Sequence, residues 1–427
     1  MDDAYHDRLH AFHPMAVAAL GPYVVVDQPM TDRVLSGMRP TGALHLGHYH
    51  GALKNWVRLQ ASMECFYFVA DWHALTTHYE SREIIEKNVY EMVIDWLAAG
   101  LDPNQCTLFL QSRIPEHAEL FTLLAMGTPI SWLERVPTYK DQQEKLKDKD
   151  LTTYGFLGYP LLQAADILIY KARHVPVGED QASHVELTRE AARRFNHLYG
   201  REPNFNALVE ACLAKLPKDS VKRFEKSRKQ FQETGDTQAL EAAMGYLQTA
   251  AELNDKDRER LEGYFKGTGK AVLTEPHALL TEASKLPGLD GAKMSKSYHN
   301  TIAMREDAAS IDSKVKRMPT DPARVKRTDA GNPDRCPVWQ FHLVYSPVAT
   351  RDWVKTECSR AGIGCLECKQ PVIDAILAEQ QPMLERAEPF VSNPRLVRDI
   401  VDAGTQRARA TAQETMRDVR EAMGLNY

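Results

Sequence analysis

No stretch of this 427-residue chain approaches the ~18 consecutive apolar residues that a membrane span needs. The first residues hold no basic segment followed by an apolar core, so a secretory signal is not expected. A cytoplasmic protein with no membrane partner is the resulting expectation. There is no internal repeat and no low-complexity tract, which sets aside solenoids and disordered tethers. Nor is there a large charge of one sign. A net charge of −5 argues against a protein that coats nucleic acid. Two local basic runs survive that exclusion. Lys215 to Lys229 carries seven Lys/Arg against two acids, and Lys314 to Arg327 carries six against one. A single such run is most often a solvated face; two allow local contact with nucleic acid. Cysteine is sparse, at seven residues, but four of them crowd one segment: Cys336, Cys358, Cys365 and Cys368.

The length is enough for two domains and an insert. From Arg33 onward, strand and helix patterns alternate. Residues 33–37, 65–71 and 106–112 read as strands. Between the last two lies an amphipathic helix. Ser81 can cap it, Ile85, Val89, Met92, Val93 and Trp96 share a face, and Gly100 stops it. Another helix is expected over 184–198. Strands separated by helices imply right-handed crossovers and a parallel sheet, so the fold class is α/β and Rossmann-like. The expected organisation is an extension over 1–30 and a catalytic domain from 31–203 and 271–305. A helical insertion over 204–270 interrupts that domain, and an all-helical domain follows over 306–427.

The stretch TGALHLGHYHG, Thr41 to Gly51, follows the first strand and holds three histidines and three glycines. In doubly wound sheets, ligands sit beyond the carboxyl ends of the strands. A helix starting near His48 aims its N–H groups at an anion. Gly47 lets a flat base approach the backbone, and His45 and His48 can donate to phosphate oxygens. A Gly-rich turn with chance histidines is the plain alternative. Far downstream, AKMSKS (292–297) puts Lys293 and Lys296 behind a Gly-Leu-Asp-Gly turn. Two ammonium groups on flexible stems suit a leaving pyrophosphate. Taken singly, the loop reads as an exposed basic turn.

Together, HLGH early and KMSKS late resemble the two signatures of class I aminoacyl-tRNA synthetases. The segments SGMRPTGALHLGHYHGAL, YPLLQAADILIY and VPVGEDQASHVELTREAARRFN are similar to the tryptophanyl-tRNA synthetase family, as is the closing MRDVREAMGL. The resemblance implies activation of L-tryptophan by ATP with Mg²⁺, then transfer to tRNA(Trp), by a symmetric homodimer. It implies catalytic roles for His45, His48, Lys293, Ser295 and Lys296. It places ATP on Arg39, Thr41, Gly42, Gly47, Gly178, Asp180 and Met294. Tryptophan falls to Gly37, Asp71, His73, Tyr159, Gln163, Asp166, Val175, Val177 and Gln181. Asp166 matches the carboxylate that accepts the indole N–H, and Tyr159 and Gln181 match groups that hold the substrate ammonium and carboxylate. An acceptor there rejects side chains that have no donor, because it would be left buried and unpaired. The tryptophanyl pattern has Met where this chain has Gln163, a residue that fits the tyrosyl family. Tyrosine is therefore the alternative substrate, and a non-catalytic nucleotide- or tRNA-binding paralogue is the alternative from another class.

The cysteine spacing is C-x21-C-x6-C-x2-C over Cys336 to Cys368. Four thiolates closing on CxxC read as a soft-metal site, against disulfides or free thiols. Zinc and a 4Fe–4S cluster both accept four cysteines. The resemblance favours 4Fe–4S, in a structural role within a helical anticodon-binding domain, with Zn²⁺ as the alternative. The same domain, helped by Lys314 to Arg327, is expected to hold the tRNA.

Overall fold

A computed structural model describes residues 32–80, 82–137, 153–178, 181–200, 202–280, 286–295 and 298–427. The extension over 1–30, the Ser81 cap, Asp180 and Lys296 lie outside the described residues. Five parallel strands form one sheet in the order β3-β2-β1-β4-β5. They are β1 (Arg33–Met38), β2 (Glu64–Val69), β3 (Cys106–Leu110), β4 (His174–Val177) and β5 (His277–Leu280). Cys65 to Val69 and Cys106 to Leu110 are buried throughout, as strands covered on both faces must be. The chain order reverses beside β1, which pairs with β2 on one side and β4 on the other. A ligand crevice belongs at that reversal.

Three boundaries differ from the sequence reading. The second strand stops at Val69, because Asp71 already begins the helix Asp71–His78. The third stops at Leu110, where a 3₁₀ turn over Gln111–Arg113 takes the chain off the sheet. The helix expected near His48 starts at Leu46, runs through a π turn at Tyr49–Leu53 and continues as Lys54–Leu59. The amphipathic helix spans Arg82–Ala99, and Gly100 follows it with φ +111°. The helix expected over 184–198 spans Ala182–Tyr199.

Two cores flank the sheet. One contains Leu35, Phe66, Phe109 and Leu168. The other contains Val34, Trp56, Tyr67, Trp96 and Leu108, with Trp56 stacked on Tyr67 at 4.4 Å. The last helix, Pro394–Met423, adds Ala408, Ala412, Met416 and Val419 to the first core and Val397 and Val401 to the second. It lies directly on β3: a Cβ on Gly404 would sit 1.9 Å from the Leu108 carbonyl oxygen, so only glycine permits this approach.

Four helices between Phe205 and Lys266 enclose their own apolar cluster around Phe224, Leu261 and Phe265. They dock through ion pairs: Lys171 with Glu259, Arg173 with Glu262 at 3.3 Å, and Lys266 with Glu275 at 2.9 Å. Lys171 and Arg173 lead into β4, so this unit sits at the amino ends of the strands. It does not cover the crevice at the opposite ends.

Candidate active site

The carboxyl ends of β1 and β4 open onto a cavity of about 330 Å³. Gly37 and Arg39 line it from one strand, and Val175, Val177 and Gly178 from the other. The helix Tyr154–Leu168 contributes Tyr159, Gln163 and Asp166; His73 and Gln181 complete the set. Asp71 is not in the lining. Its Oδ1 accepts from the Ser112 N–H at 3.0 Å and the Trp72 N–H at 3.2 Å.

Asp166 is wholly buried, and among the described residues its donors are side chains. His73 Nε2 donates to Oδ2 at 2.7 Å, and His117 Nδ1 donates to Oδ1 at 2.6 Å. Gln111 Nε2 reaches both oxygens, at 2.8 and 3.0 Å. Burial pushes the carboxyl pKa up, but hydrogen bonds from His117 and His73 outweigh it and hold the group below its ordinary value. The cavity is thus walled by an ionised acceptor. His184, also buried, donates from Nδ1 to Gln163 Oε1 at 2.7 Å and meets the Tyr159 hydroxyl at 3.4 Å. Sequence reasoning missed Gln111, His117, Tyr170 and His184. The segment QSRIPEHA directly after β3 was the available signal for the first two, because it leaves the sheet at its ligand end.

The histidine turn and the lysine loop meet. His45 is extended, at φ −126° and ψ 167°, and caps the helix that begins at Leu46. Its backbone N–H donates to His48 Nδ1 at 3.3 Å, which puts the neutral ring's proton on Nε2. The two imidazoles lie 3.7 Å apart. Leu46 N donates to Ile302 O at 2.9 Å, and Met304 N to Leu44 O at 3.0 Å, so the turn pairs with the chain just past the loop. Gly47 N donates to Met294 Sδ at 3.4 Å. Met294 is buried, Ser295 half-buried and Lys293 exposed. Asn300 braces the loop: its Oδ1 accepts from Ser295 N at 2.8 Å, and its Nδ2 donates to Asp290 at 2.8 Å and to the Lys293 carbonyl at 3.1 Å. Asp95 ties both motifs to the helix Arg82–Ala99, accepting from Leu44 N at 3.1 Å and Arg305 Nε at 2.6 Å. Thr41 and Gly42 lie in the same turn, Gly42 at φ +137°.

Cys336, Cys358, Cys365 and Cys368 line one small cavity together with Asp321 and Arg324. All are free thiols. Arg324 Nη1 lies 3.8 Å from Cys358 Sγ, and His342 Nε2 lies 3.4 Å from Cys368 Sγ. Among the described residues, no three histidine, cysteine or carboxylate side chains converge closely enough to hold a single metal ion. Much of the neighbouring basic run is used internally. Arg324 donates to Ile363 O at 2.6 Å, Arg327 to Ala361 O at 2.6 Å, and Lys316 pairs with Asp312 at 2.8 Å.

A histidine turn pressed against a lysine loop, at the carboxyl ends of parallel strands, defines a class I nucleotide-activating site. Residues 30–230 and 240–378 match the family described as tRNA synthetases class I (W and Y). The chain is 67% identical over 396 residues to the tryptophan–tRNA ligase of Ralstonia nicotianae, spanning 93% of this chain and 99% of the relative. It is 42% identical over 397 residues to the tryptophan–tRNA ligase of Thermotoga maritima, spanning 92% and 100%. A tryptophanyl-tRNA synthetase from Campylobacter jejuni, solved with ADP and tryptophan, matches with a TM-score of 0.69 at 26% identity, over 92% of this chain and 100% of that one. This chain belongs to the class I tRNA synthetases of the W and Y family, on its tryptophanyl branch.

Proposed function

We infer that this chain is a tryptophan–tRNA ligase: it joins L-tryptophan to ATP, releases pyrophosphate, and passes the acyl group to tRNA(Trp). The single observation that carries the reading is the contact of Gly47 N with Met294 Sδ at 3.4 Å, because it brings together two motifs far apart in sequence. Attack of the substrate carboxylate on the α-phosphorus needs in-line positioning and charge neutralisation, not a covalent enzyme intermediate. His45, His48, Lys293, Ser295 and Lys296 supply donors to the phosphates. Mg²⁺, when bound with ATP, supplies further charge neutralisation at phosphate oxygens. Arg39, Thr41, Gly42, Gly47 and Met294 form the nucleotide side of the cleft, and Gly178 and Asp180 its ribose side. Asp166 receives the indole N–H. Tyr159 and Gln181 hold the amino-acid head group, with Gly37, His73, Gln163, Val175 and Val177 lining the rest of the cavity and Asp71 bracing Ser112 and Trp72 beside it. Amino-acid-dependent pyrophosphate exchange tests the reading: tryptophan supports it, and exchange driven by tyrosine instead overturns it.

Residues 306–427 serve as the anticodon-binding domain, and 31–203 with 271–305 as the catalytic domain. The last helix, Pro394–Met423, also packs into the catalytic cores, and 204–270 is an insertion remote from the chemistry. The four thiols around one cavity support a metal centre held by Cys336, Cys358, Cys365 and Cys368. A 4Fe–4S cluster is the reading we adopt over Zn²⁺, with a structural role. An exposed apolar face formed by Leu75, Tyr79 and Tyr154, close to the substrate cavity, supports a homodimer. The location is cytoplasmic; among the described residues no helix is long and apolar enough to cross a membrane.

A further inference from the structure

A carboxylate offers about four lone-pair sites, and Asp166 uses each of its oxygens twice. Oδ1 accepts from His117 and Gln111, Oδ2 from His73 and Gln111. These donors are not equivalent. Gln111 and His117 are 0% exposed and lie behind the carboxylate, whereas His73 lines the cavity. His117 is itself fixed from behind. Its Nε2 lies 2.7 Å from the hydroxyl of Tyr170, also 0% exposed. A ring that donates from Nδ1 to an ionised acid accepts at Nε2 when neutral, so the Tyr170 hydroxyl donates and locks the tautomer. Gln111 gives the same message. Its Oε1 is buried with no partner among the described residues, so the amide orientation is set by the bonds its N–H₂ makes to Asp166.

We propose that Gln111 and His117, with Tyr170 behind them, are positioning residues that hold Asp166 as a fixed acceptor, and that His73 occupies the indole's place on Asp166 until tryptophan displaces it. The proposal rests on the reading that Asp166 receives the indole N–H. It goes beyond that reading by naming what keeps the acceptor aimed and satisfied before the substrate binds. A buried carboxylate with a lone pair left open is costly. A donor that swings aside removes that cost in the free enzyme and yields the site to the one substrate whose N–H replaces it.

The test compares tryptophan with its benzothiophene isostere, in which sulfur replaces the indole N–H, as paired kcat/KM values in pyrophosphate exchange. Wild type is expected to discriminate by on the order of 10³-fold or more, as sites built around one donor do. His117→Leu is expected to cut that ratio at least tenfold, mainly through the KM for tryptophan, and His117→Asn, whose amide N–H takes the Nδ1 position, to restore part of it. His73→Leu is expected to change the ratio less than threefold, because the indole already replaces His73 in the complex. Asp166→Leu, of similar volume and with no acceptor, is the control. If it keeps the full ratio, the acceptor reading fails and the proposal with it. If it collapses the ratio while folded His117→Leu keeps it, the positioning role alone is overturned. A loss in His73→Leu equal to that in His117→Leu overturns the exchange of donors. Should His117→Leu fail to fold, Tyr170→Phe decides: a reduced ratio supports the lock, and an unchanged one overturns it.

Discussion

Replacing Gly47 by alanine places a methyl group 3.0 Å from His45 Nδ1, 3.1 Å from His45 Cε1 and 3.3 Å from Met294 Cβ. The first two contacts press on an imidazole expected to face phosphate. The third presses on the Met294 Cβ, at the root of a buried side chain of the lysine loop and not at a flexible tip. Overpacking of this kind costs about 1–3 kcal/mol. Charged against the closed arrangement of turn and loop, that is a loss of roughly 5- to 150-fold in the rate of adenylate formation. Fold stability moves the other way. Gly47 lies in the helical turn Leu46–His48, where alanine is better than glycine by about 0.8–1.0 kcal/mol. The expected signature is therefore slow pyrophosphate exchange in a protein whose melting temperature is unchanged or slightly higher. The KM for tryptophan should hold, because Gly47 is not in the lining of the indole cavity. The assay is pyrophosphate exchange at saturating tryptophan and varied ATP, beside a thermal melt. Exchange within twofold of wild type would refute the claim that this contact joins the two halves of the ATP site.

Lys296→Ala should slow adenylate formation by about 10²-fold or more, the usual cost of removing one charge-stabilising donor, with little change in tryptophan binding by fluorescence quenching; a near-normal rate removes its role. Burial would raise the Glu262 pKa, but Lys266 and Arg173 outweigh it and hold the carboxyl at about 2, against 4.5 for a free one. Its stabilisation is then complete above pH 4.5 and lost as pH falls toward 2. Glu262→Gln should lower the melting temperature near neutrality, and its gap to wild type should close as the solution is acidified; a gap that widens in acid contradicts the assignment. Anaerobic purification should give a coloured protein with about four irons per chain, and Cys368→Ser should lose both colour and iron. A colourless, iron-free wild type with full aminoacylation ends the cluster reading. Light scattering should report twice the chain mass, and Tyr79→Asp with Tyr154→Asp should report one; a monomeric wild type removes the dimer.

What was legible in the sequence was local. HLGH after the first strand and KMSKS behind a glycine turn each carry a spacing that their own backbone enforces. The helix Arg82–Ala99 announced itself by its apolar face and by Gly100. What was not legible depended on tertiary placement. β5 is four residues, His277–Leu280, and its pairing with His174 to Val177 exists only because the chain returns after about a hundred residues. Asp166 could be picked out as an acid in an apolar run. Its partners could not, because Gln111 and His117 lie 55 and 49 residues away and converge only after a β-α crossover. The four cysteines stood out by spacing, whereas Arg324 beside Cys358 read as part of a basic run that helps to hold the tRNA and is instead largely buried. The last helix, read by composition as part of a helical C-terminal region, also packs against β3.

The central claim, that the histidine turn and the lysine loop close on one ATP to activate tryptophan, is tested most directly by rapid-quench measurement of aminoacyl-adenylate in a single turnover. With ATP, Mg²⁺ and tryptophan, a rapid burst approaching one equivalent per active site is expected, and none with tyrosine. Absence of a tryptophan burst from folded, ATP-binding protein would contradict it.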